Sequence, residues 1–411
     1  MASFLADTDS DDELPVGWEE RVTLDGKVFY ANHQTKSTQW THPKTGKKRV
    51  ISGELPFGWE RSVLPNGDVV FVDHINKKTT YTDPRLAFAV EEKDNVTDIR
   101  QRFDSSSTAL QVLHGRDLSN KVAVITGANC GIGYETAKAF AFHGVHVIIA
   151  CRDLDKANDA IKNIVKQRHH AKVQALKCDL SSFKSVKEFV EQFEALNLPI
   201  HILVLNAAVF ALPHATTEDG IEKTFQVNYL SHFYLVKLLR QTLIKSAPCR
   251  VVVVSSESHR FSQVTKENLS SNLLSPPSSR NFSAMMAYND SKLCNILFSS
   301  ALSHRLQRYG VTCNAVHPGN MISTSLSRNW WLYRLAFALV RPFTKSVEQG
   351  AATSVYCATA VELDDVTGLY FNNCLQTSPS KAAQDIELSE LLWILSDKMI
   401  ENALQERSLL P

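Results

Sequence analysis

From residue 121 onward, short continuous apolar runs alternate with longer segments that mix apolar and charged positions. The runs are rich in valine and isoleucine, which is typical of parallel strands buried on both faces, and the mixed segments are typical of covering helices. This alternation predicts a doubly wound, Rossmann-type α/β sheet with a ligand crevice at the carboxyl ends of its strands. The strands are predicted at residues 121–126, 145–150, 172–177, 200–205, 250–255, 312–317 and 368–371.

A different pattern precedes this region: short stretches of alternating polar and apolar residues, arranged as a repeat. The motif L-P-V-G-W-E begins at Leu14 and recurs, with Phe in place of Val, at Leu55, 41 residues later. The two copies end in register at Pro43 and Pro84. They predict two small all-β units, and so small a unit without disulfides or a metal is marginally stable and suited to be a binding module. Turn sequences typical of hairpins lie inside both units, at Asp25-Gly26 and Asn66-Gly67.

Both units resemble WW domains, which are three-stranded sheets with the signature L-P-x-G-W-E…Y-x-N-H…T-x-x-W-x-x-P. The resemblance implies that Trp18, Tyr30 and Pro43 form a small core and that the opposite face binds proline-rich peptides. It also implies a P-P-x-Y ligand, with His33 near the ligand tyrosine; the alternative is a purely structural sheet. The predicted peptide-binding residues are Phe29, Ala31, His33, Thr38 and Trp40.

The second unit departs from the WW pattern at two groove positions. Tyr81 replaces the second groove aromatic and Val70 stands where the first unit has Phe29, so less ring surface is offered to a proline. Its small core is retained in Trp59, Phe71 and Pro84. We therefore predict a folded unit that binds peptide weakly or not at all and supports the first.

The first predicted strand of the α/β region runs into T-G-A-N-C-G-I-G, and a helical segment follows. Its glycines permit a tight turn and a close backbone approach to a pyrophosphate, which the amino terminus of the next helix favours. Glycine-rich turns also occur for structural reasons, but this position between strand and helix favours dinucleotide binding. The predicted cofactor-binding loop comprises Gly127, Ala128, Asn129, Cys130, Gly131, Ile132 and Gly133.

A tyrosine and a lysine stand four residues apart in A-Y-N-D-S-K, at Tyr288 and Lys292. On a helix they share one face, where the ammonium would lower the pKa of the phenol, although the pair alone also fits an ordinary polar face. From roughly Asp117 to the C-terminal region, the chain resembles the short-chain dehydrogenase/reductase family. This pair, the glycine-rich loop and further motifs carry the resemblance, and they occur in the family's order. Those further motifs are Cys178-Asp179-Leu180, Asn206-Ala207-Ala208, Asn228, Ser255-Ser256 and His317-Pro318-Gly319.

The family resemblance implies roles for the polar residues. Tyr288 would be the general acid/base on a carbonyl or alcohol oxygen while a nicotinamide exchanges hydride with carbon. Lys292 would lower the pKa of Tyr288 and hold the nicotinamide ribose. Ser256, rather than Ser255, would hydrogen-bond the substrate oxygen, and Asn228 would hold a helix irregularity and a proton-relay water.

Cofactor choice is indicated at the end of the second strand of the α/β region, A-C-R-D. NAD-binding folds usually place an acidic residue there, whereas Arg152 could pair with a 2′-phosphate and Asp153 would cap the next helix. We predict NADP(H) in preference to NAD(H). The resemblance further places Asp179 at the adenine and Asn206 beside the cofactor.

Two segments indicate the kind of substrate. The spacing of 32 residues between Ser256 and Tyr288 includes an insert at 274–277, predicted to form a substrate-side loop like that of retinol-dehydrogenase-type members. Residues 329–343, with two tryptophans, fall where the family has its substrate-covering helices. An apolar lid there predicts a hydrophobic alcohol or carbonyl, such as a steroid or retinoid. A membrane-skimming helix and plain core are the alternatives.

Composition narrows the class of protein. The 411 residues carry 44 Lys+Arg against 43 Asp+Glu, so nothing global indicates binding to nucleic acid or membrane. The acidic N-terminus lacks a signal-peptide pattern, no run is long enough to span a membrane, and the 8 cysteines have no metal-site spacing. We predict reduced thiols, no metal and a cytoplasmic location. One basic cluster is read as a solvated linker or, alternatively, as a nuclear-entry signal: Lys44, Lys47, Lys48 and Arg49.

The predicted organisation is a WW domain at 12–45, a second at 53–86, a linker at 87–116 and the dehydrogenase domain at 117–400. Two functions are compatible with it. One is an NADP-dependent oxidoreductase that also binds P-P-x-Y proteins as a signalling adaptor. The other is mainly an adaptor, with a cofactor-loaded but catalytically minor dehydrogenase domain. The family resemblance also indicates a homo-oligomer.

Overall fold

The computed structural model describes residues 14–408 except 24–25, 52–54, 57, 67, 93–94, 96–98, 100, 281 and 320–344. The chain divides into two compact units. The N-terminal unit comprises Met1–Arg100 with Gly115–Asp117, and the α/β unit comprises Gln101–His114 with Leu118–Pro411.

The N-terminal unit contains two three-stranded antiparallel sheets, as the repeat predicts. A third, two-stranded sheet pairs the segment after the first repeat with the segment after the second. Numbered in chain order, the strands are β1 (Trp18–Val22), β2 (Val28–Asn32) and β3 (Ser37–Gln39); β5 (Trp59–Val63), β6 (Val69–Asp73) and β7 (Lys78–Thr80); and β4 (Arg49–Val50) paired with β8 (Val90–Glu91).

The pair β4–β8, called the clasp below, completes the core of the first sheet. Val28 and Tyr30 of β2 are buried together with Ile51, which follows β4, and Ala89, which precedes β8. Leu86, in the 3-10 helix after the second sheet, packs against this cluster. The first WW sheet thus obtains part of its core from chain segments on both sides of the second.

The α/β unit is built on an eight-stranded sheet in the order β11-β10-β9-β12-β13-β14-β15-β16. All neighbours are parallel except β15 and β16, which form a short antiparallel edge. Every predicted strand is present, so the predicted fold class is confirmed. The strands are β9 (Val122–Thr126), β10 (His146–Cys151), β11 (Val173–Lys177), β12 (Ile202–Leu205), β13 (Cys249–Val254), β14 (Val311–His317), β15 (Tyr370–Asn372) and β16 (Leu375–Gln376).

Helices connect these strands and pack in pairs: α2 with α9, α4 with α6, and α8 with α10. A π-helical turn, Gln226–Leu230, lies between α5 and α6. The helices are α1 (Ala109–Val112), α2 (Gly131–Phe142), α3 (Leu154–Gln167), α4 (Phe183–Ala195), α5 (Lys223–Phe225), α6 (Ser231–Lys245), α7 (Ser271–Leu274), α8 (Ala284–Leu306), α9 (Val347–Thr359) and α10 (Ile386–Ser408). Short 3-10 helices occur at Pro84–Phe88, Glu257–Phe261, Gln307–Tyr309, Val361–Leu363 and Ala382–Gln384.

Burial explains why the apolar runs identify the sheet. Strands β9, β12 and β14 are buried at every position, as expected of parallel strands covered on both faces. Residues 101–114, placed in the linker by sequence, belong to the α/β unit, where Phe103 packs edge-on against Tyr356 at 5.9 Å and α1 packs on α9. Among the described residues, no helix combines the length and apolar character that crossing a membrane requires.

Candidate functional site

The glycine-rich loop lies between β9 and α2, at the carboxyl edge of the sheet. A Cβ at Gly127, where φ is +67°, would lie 2.9 Å from Ala207 Cα, and one at Gly133 would lie 2.5 Å from Asn206 Nδ2. Side chains at either position would therefore collide with the strand end next to the loop. The loop runs directly into the amino terminus of α2 at Gly131, and this cradle fits a pyrophosphate because backbone N–H groups and the helix dipole favour an anion.

Asn206 ties this loop to the end of β12. Its Nδ2 donates to the Thr126 carbonyl at 2.9 Å and lies 3.4 Å from the Gly127 carbonyl. The Thr126 hydroxyl in turn accepts the backbone N–H groups of Asn206 and Ala207 at 2.9 and 3.0 Å. The predicted residues of the loop and of the N-A-A motif therefore form one hydrogen-bonded surface.

The residues predicted to bind the adenosine half of the cofactor lie at the ends of β10 and β11. Arg152 directly follows β10 and its side chain is exposed. Asp153 caps α3 by accepting the Lys156 N–H at 3.1 Å, and it pairs with Lys156 Nζ at 2.5 Å. Asp179, after β11, accepts the Ser181 hydroxyl at 2.7 Å. The acid next to Arg152 is thus engaged in a helix cap, and the guanidinium is the group at the strand end suited to bind a ligand.

Tyr288 and Lys292 lie on one face of α8, with Lys292 Nζ 5.5 Å from the centre of the phenol ring. The lysine is 2% exposed and its Nζ donates to the Val254 carbonyl at 3.0 Å. Burial lowers the pKa of Lys292 from 10.5 to about 7. Asn295 Nδ2 donates to the same carbonyl at 3.2 Å, so the end of β13 is tied to α8 at two points.

The two serines after β13 have different surroundings. Ser255 is buried, and its Oγ donates to the Lys292 carbonyl at 2.7 Å, which fixes α8 against the sheet. Ser256 is only partly buried and caps the following 3-10 helix by accepting the Ser258 N–H at 3.2 Å. Of the two, Ser256 is the one with access to solvent, as the choice from sequence requires.

Asn228 lies inside the π-helical turn, the kind of irregularity that the resemblance implies. Its Oδ1 accepts the Val209 N–H at 2.7 Å, and its Nδ2 donates to the Val209 carbonyl at 2.9 Å and to Ser291 Oγ at 3.0 Å. Ser291 donates to the Tyr288 carbonyl at 2.7 Å. Asn228 therefore joins the segment after β12 to the tyrosine-bearing turn of α8.

Phe210 is a residue of this site that sequence reasoning missed. Its ring packs edge-on against Tyr288, with the ring centres 4.8 Å apart and the planes at 89°. Its place two residues after the N-A-A motif is a signal that could have found it. The insert predicted to face the substrate contacts the segment that follows Phe210 in the chain. His214 Nε2 lies 2.8 Å from the Pro276 carbonyl oxygen. The predicted lid, 329–343, lies outside the described residues.

The predicted peptide groove lies on one face of the first WW sheet. Phe29 and Trp40 pack edge-on at 6.0 Å, and Trp40 is 53% exposed. Ala31 and Thr38 are paired across β2 and β3, and His33 Nε2 contacts Glu19 Oε2 at 2.7 Å. All five predicted residues are thus brought to one surface. They belong to the N-terminal unit and the dehydrogenase motifs to the α/β unit.

The corresponding positions of the second WW sheet offer less aromatic surface to a peptide. Tyr81 is 70% exposed, whereas Val70, at the place of Phe29, is 4% exposed. His74 contacts Glu60 at 2.8 Å, repeating the pair in the first sheet. Tyr81 therefore has no aromatic partner at the position that corresponds to Phe29.

In the part of the chain that the structure describes, His, Cys, Asp and Glu form no cluster of three or more that could hold a metal.

Comparison with known proteins agrees with these features. The profile of the WW domain matches residues 14–43, and that of the short chain dehydrogenases matches residues 121–267. The chain is 58% identical to a WW domain-containing oxidoreductase of Gallus gallus over 98% of each chain. It is 41% identical to retinol dehydrogenase 12 of Mus musculus over 69% of this chain and 87% of that one. A crystal structure of an uncharacterised protein from Mycobacterium paratuberculosis matches with a TM-score of 0.56 at 28% identity, over 72% of this chain and 98% of that one.

The fold and the matched profiles define an oxidoreductase of the short-chain dehydrogenase class, which uses a nicotinamide cofactor and acts on a small substrate. Within that class, the chain belongs to the family of WW domain-containing oxidoreductases. Its WW domain is of a type that binds proline-rich peptides.

Proposed function

We propose that the α/β unit reduces or oxidises a hydrophobic alcohol or carbonyl with NADP(H), and that the first WW domain binds P-P-x-Y segments of partner proteins. The observation that carries the enzymatic part is the buried Lys292 ammonium 5.5 Å from the Tyr288 ring centre, on a helix tied to β13. A buried cation beside a phenol favours the phenolate. This is the requirement for a tyrosine that exchanges protons near neutral pH.

Each residue then has a defined part in the reaction. In reduction, Tyr288 gives its proton to the substrate oxygen, and Ser256 donates a hydrogen bond to that oxygen as negative charge develops. Lys292 uses one of its three donors on Val254 O among the described residues, which leaves donors for ribose hydroxyls. Asn228 keeps the tyrosine-bearing turn in register with the segment after β12. Hydride chemistry is what a nicotinamide cofactor would supply when bound.

Arg152 supports NADP(H) over NAD(H). Because Asp153 is committed to capping α3, it repels a 2′-phosphate less than a free carboxylate would, and Arg152 can bind the phosphate through two N–H groups. We expect Arg152→Ala to weaken NADPH binding about tenfold while leaving NADH binding nearly unchanged. Fluorescence titration with both nucleotides measures this, and an equal loss for both would contradict the assignment.

An apolar substrate is supported by the surface beside the tyrosine. Phe210 covers one side of Tyr288 with an aromatic ring, which suits a flat apolar carbonyl compound. The similarity to a retinol dehydrogenase makes retinoids the first class to assay, with steroids second.

The enzymatic proposal is tested by NADPH oxidation with the full chain against retinoid and steroid carbonyls. Tyr288→Phe should lower turnover by about 100-fold or more, because the proton donor is removed while the ring packing stays. Tyr309→Phe, beyond the end of the same helix, is the matched control and should keep full activity. Absence of turnover in the wild type, with NADPH bound, would favour the second candidate function, an adaptor with a catalytically minor dehydrogenase unit.

The peptide-binding part is supported by the exposed pair Phe29 and Trp40, since proline rings stack on such surfaces. Trp40→Ala should weaken binding of a P-P-x-Y peptide at least tenfold, which is roughly the cost of losing a central aromatic. Tyr81→Ala, at the corresponding position of the second WW sheet, is the control. Calorimetric titration of the full chain with the P-P-x-Y peptide measures the affinities. Wild-type affinity in both variants would contradict the proposal.

Location in the cytoplasm, with nuclear entry through the basic cluster, is part of the same proposal. Within the cluster, Lys47 pairs with Glu91 at 2.9 Å and Arg49 with Glu20 at 3.4 Å. Lys44 and Lys48 have exposed side chains. A Lys44→Ala/Lys48→Ala double variant should reduce the nuclear fraction of the tagged chain, and an unchanged distribution would leave the cluster as a linker.

A further inference from the structure

His232 lies in α6 one turn after Asn228, and the mechanism above gives it no role. Its side chain is 1% exposed, and both ring nitrogens face polar atoms. Nε2 lies 2.9 Å from Thr126 Oγ1, and Nδ1 lies 3.3 Å from the Asn228 carbonyl oxygen. One histidine thus contacts Thr126, the residue directly before the predicted cofactor loop, and Asn228, a member of the predicted catalytic set.

The hydrogen-bond partners determine where the proton of this ring lies. Thr126 Oγ1 already accepts the N–H groups of Asn206 and Ala207, so its own proton is directed at His232 Nε2. Nε2 is therefore the acceptor, and the neutral ring carries its proton on Nδ1, toward the Asn228 oxygen. Burial lowers the pKa of His232 to about 3, so the ring stays neutral near pH 7.

These bonds close a ring around the segment that follows β12. Thr126 holds the start of this segment through Asn206 N–H, and Asn228 holds its middle through both backbone groups of Val209. His232 contacts both Thr126 and Asn228 and so joins these two residues to each other. The next residue along the segment is Phe210, whose ring packs on Tyr288.

We propose that His232 is a positioning residue that couples the cofactor loop to Tyr288 by locking the segment between Asn206 and Phe210. The inference rests on the proposed oxidoreductase function. Without the ring, the segment could move relative to both the glycine-rich loop and the tyrosine. A displacement of about 1 Å at a reacting group costs roughly 100-fold in rate.

The test compares His232→Phe with Tyr229→Phe. The first keeps a planar ring and loses both hydrogen bonds; the second loses one buried bond, to Ser396 Oγ at 2.7 Å, from the neighbouring π turn. Both variants should melt at lower temperature than the wild type, since both lose buried polar contacts. Only His232→Phe should lower kcat/KM by roughly 100-fold and weaken NADPH binding about tenfold. His232→Gln, which keeps a donor and an acceptor, should recover part of both and serves if the Phe variant does not fold.

Equal kinetics and equal NADPH affinity in the His232 and Tyr229 variants would overturn the proposal. A second measurement does not depend on turnover: nitrogen NMR of the labelled full chain should show His232 protonated on Nδ1 alone and not titrating between about pH 5 and pH 9. A proton on Nε2 would also overturn it. If the wild type binds NADPH without turnover, the oxidoreductase proposal fails, while NADPH affinity and the NMR signal still decide the role of His232.

Discussion

At the scale of single residues, contact geometry separates side chains that look alike in the sequence. Ser255 and Ser256 are adjacent and identical, yet one is buried against the Lys292 carbonyl and the other caps a helix at the crevice. Lys292 is likewise more than a charged neighbour of Tyr288. Its own ionisation depends on the burial that the fold imposes, and this dependence can be measured.

Stability without cofactor should depend on pH through Lys292. Because its folded pKa is about 7 and its ordinary value is 10.5, the unfolded chain binds more protons between these values, and the free energy of unfolding rises with pH across that window. Lys292→Met should flatten this rise and stabilise the apo protein at pH 7 by about 1–3 kcal/mol, since a buried charge is removed. Asn295 still satisfies the Val254 carbonyl in that variant. Urea unfolding at several pH values measures both effects, and an unchanged slope would contradict the assignment.

Two glycines with similar backbone conformations allow the cost of backbone strain to be measured separately from the cost of a steric clash. Gly127 and Gly220 have φ of +67° and +76°, but only Gly127 has neighbours within 4 Å of an added Cβ. Each Ala variant should lose about 1–2 kcal/mol from the left-handed backbone, and Gly127→Ala should lose about 1–3 kcal/mol more from overpacking. Only Gly127→Ala should also weaken NADPH binding. Melting curves and fluorescence titration give the comparison, and equal NADPH affinity in both variants would remove the loop from the cofactor site.

At the scale of elements, Trp393 is one of the side chains that hold the helix α10 on α8 and α6. Trp393 packs against Phe233 at 4.7 Å and stacks on Phe298 at 6.0 Å, and the Arg305 guanidinium lies 4.0 Å from its ring centre. The aromatic cluster and the cation–π contact together attach the C-terminal helix to the core of the α/β unit.

Trp393→Ala should therefore lower the free energy of unfolding of the α/β unit by about 3 kcal/mol, as expected of a large aromatic lost from a packed cluster. Ile394→Ala, on the next residue, is the matched control because that side chain is 62% exposed, and its effect should stay within about 0.5 kcal/mol. Chemical unfolding followed by far-UV circular dichroism distinguishes them. Equal stability of the two variants would show that α10 is not anchored through Trp393.

The sequence identified elements that carry a regular signal and missed those that depend on distant contacts. Strands such as β9 were predictable because burial on both faces requires a continuous apolar run. The two-residue strand β16 is too short to leave a pattern. The π turn has no local signature and was indicated at Asn228 only by the family resemblance. The Phe210–Tyr288 contact was missed because it joins residues far apart in the chain. The glycine loop and the Tyr288–Lys292 pair were found because their chemistry requires fixed spacing.

At the scale of the whole molecule, the two WW sheets are not structurally independent of each other. The core of the first includes Ile51 and Ala89, which flank the second sheet in the chain. Neither residue lies within the 14–43 match of the WW profile, so the repeat alone could not reveal this dependence. It provides a physical basis for the prediction that the second unit supports the first. The expectation of a homo-oligomer stays a prediction.

Ile51→Ala should destabilise the first WW sheet by about 2–4 kcal/mol, because a buried side chain is lost from a small cluster. Peptide affinity at the Trp40 groove should fall with it, although Ile51 is not in the groove. Ile75→Ala, where the side chain is 60% exposed in the second unit, is the control. Hydrogen exchange of the β2 amides in the full chain reports the opening of the sheet, and equal protection in both variants would show that the clasp does not support it.

The clasp also determines how mechanical tension travels along the chain. Since β4 and β8 lie side by side, the backbone enters and leaves the second WW sheet at neighbouring points. A pull between the first WW sheet and the following domain therefore loads the β4–β8 hydrogen bonds first, and the second sheet is carried as a side loop outside the line of force. Opening the clasp and unfolding residues 51–89 would release roughly 130 Å of slack.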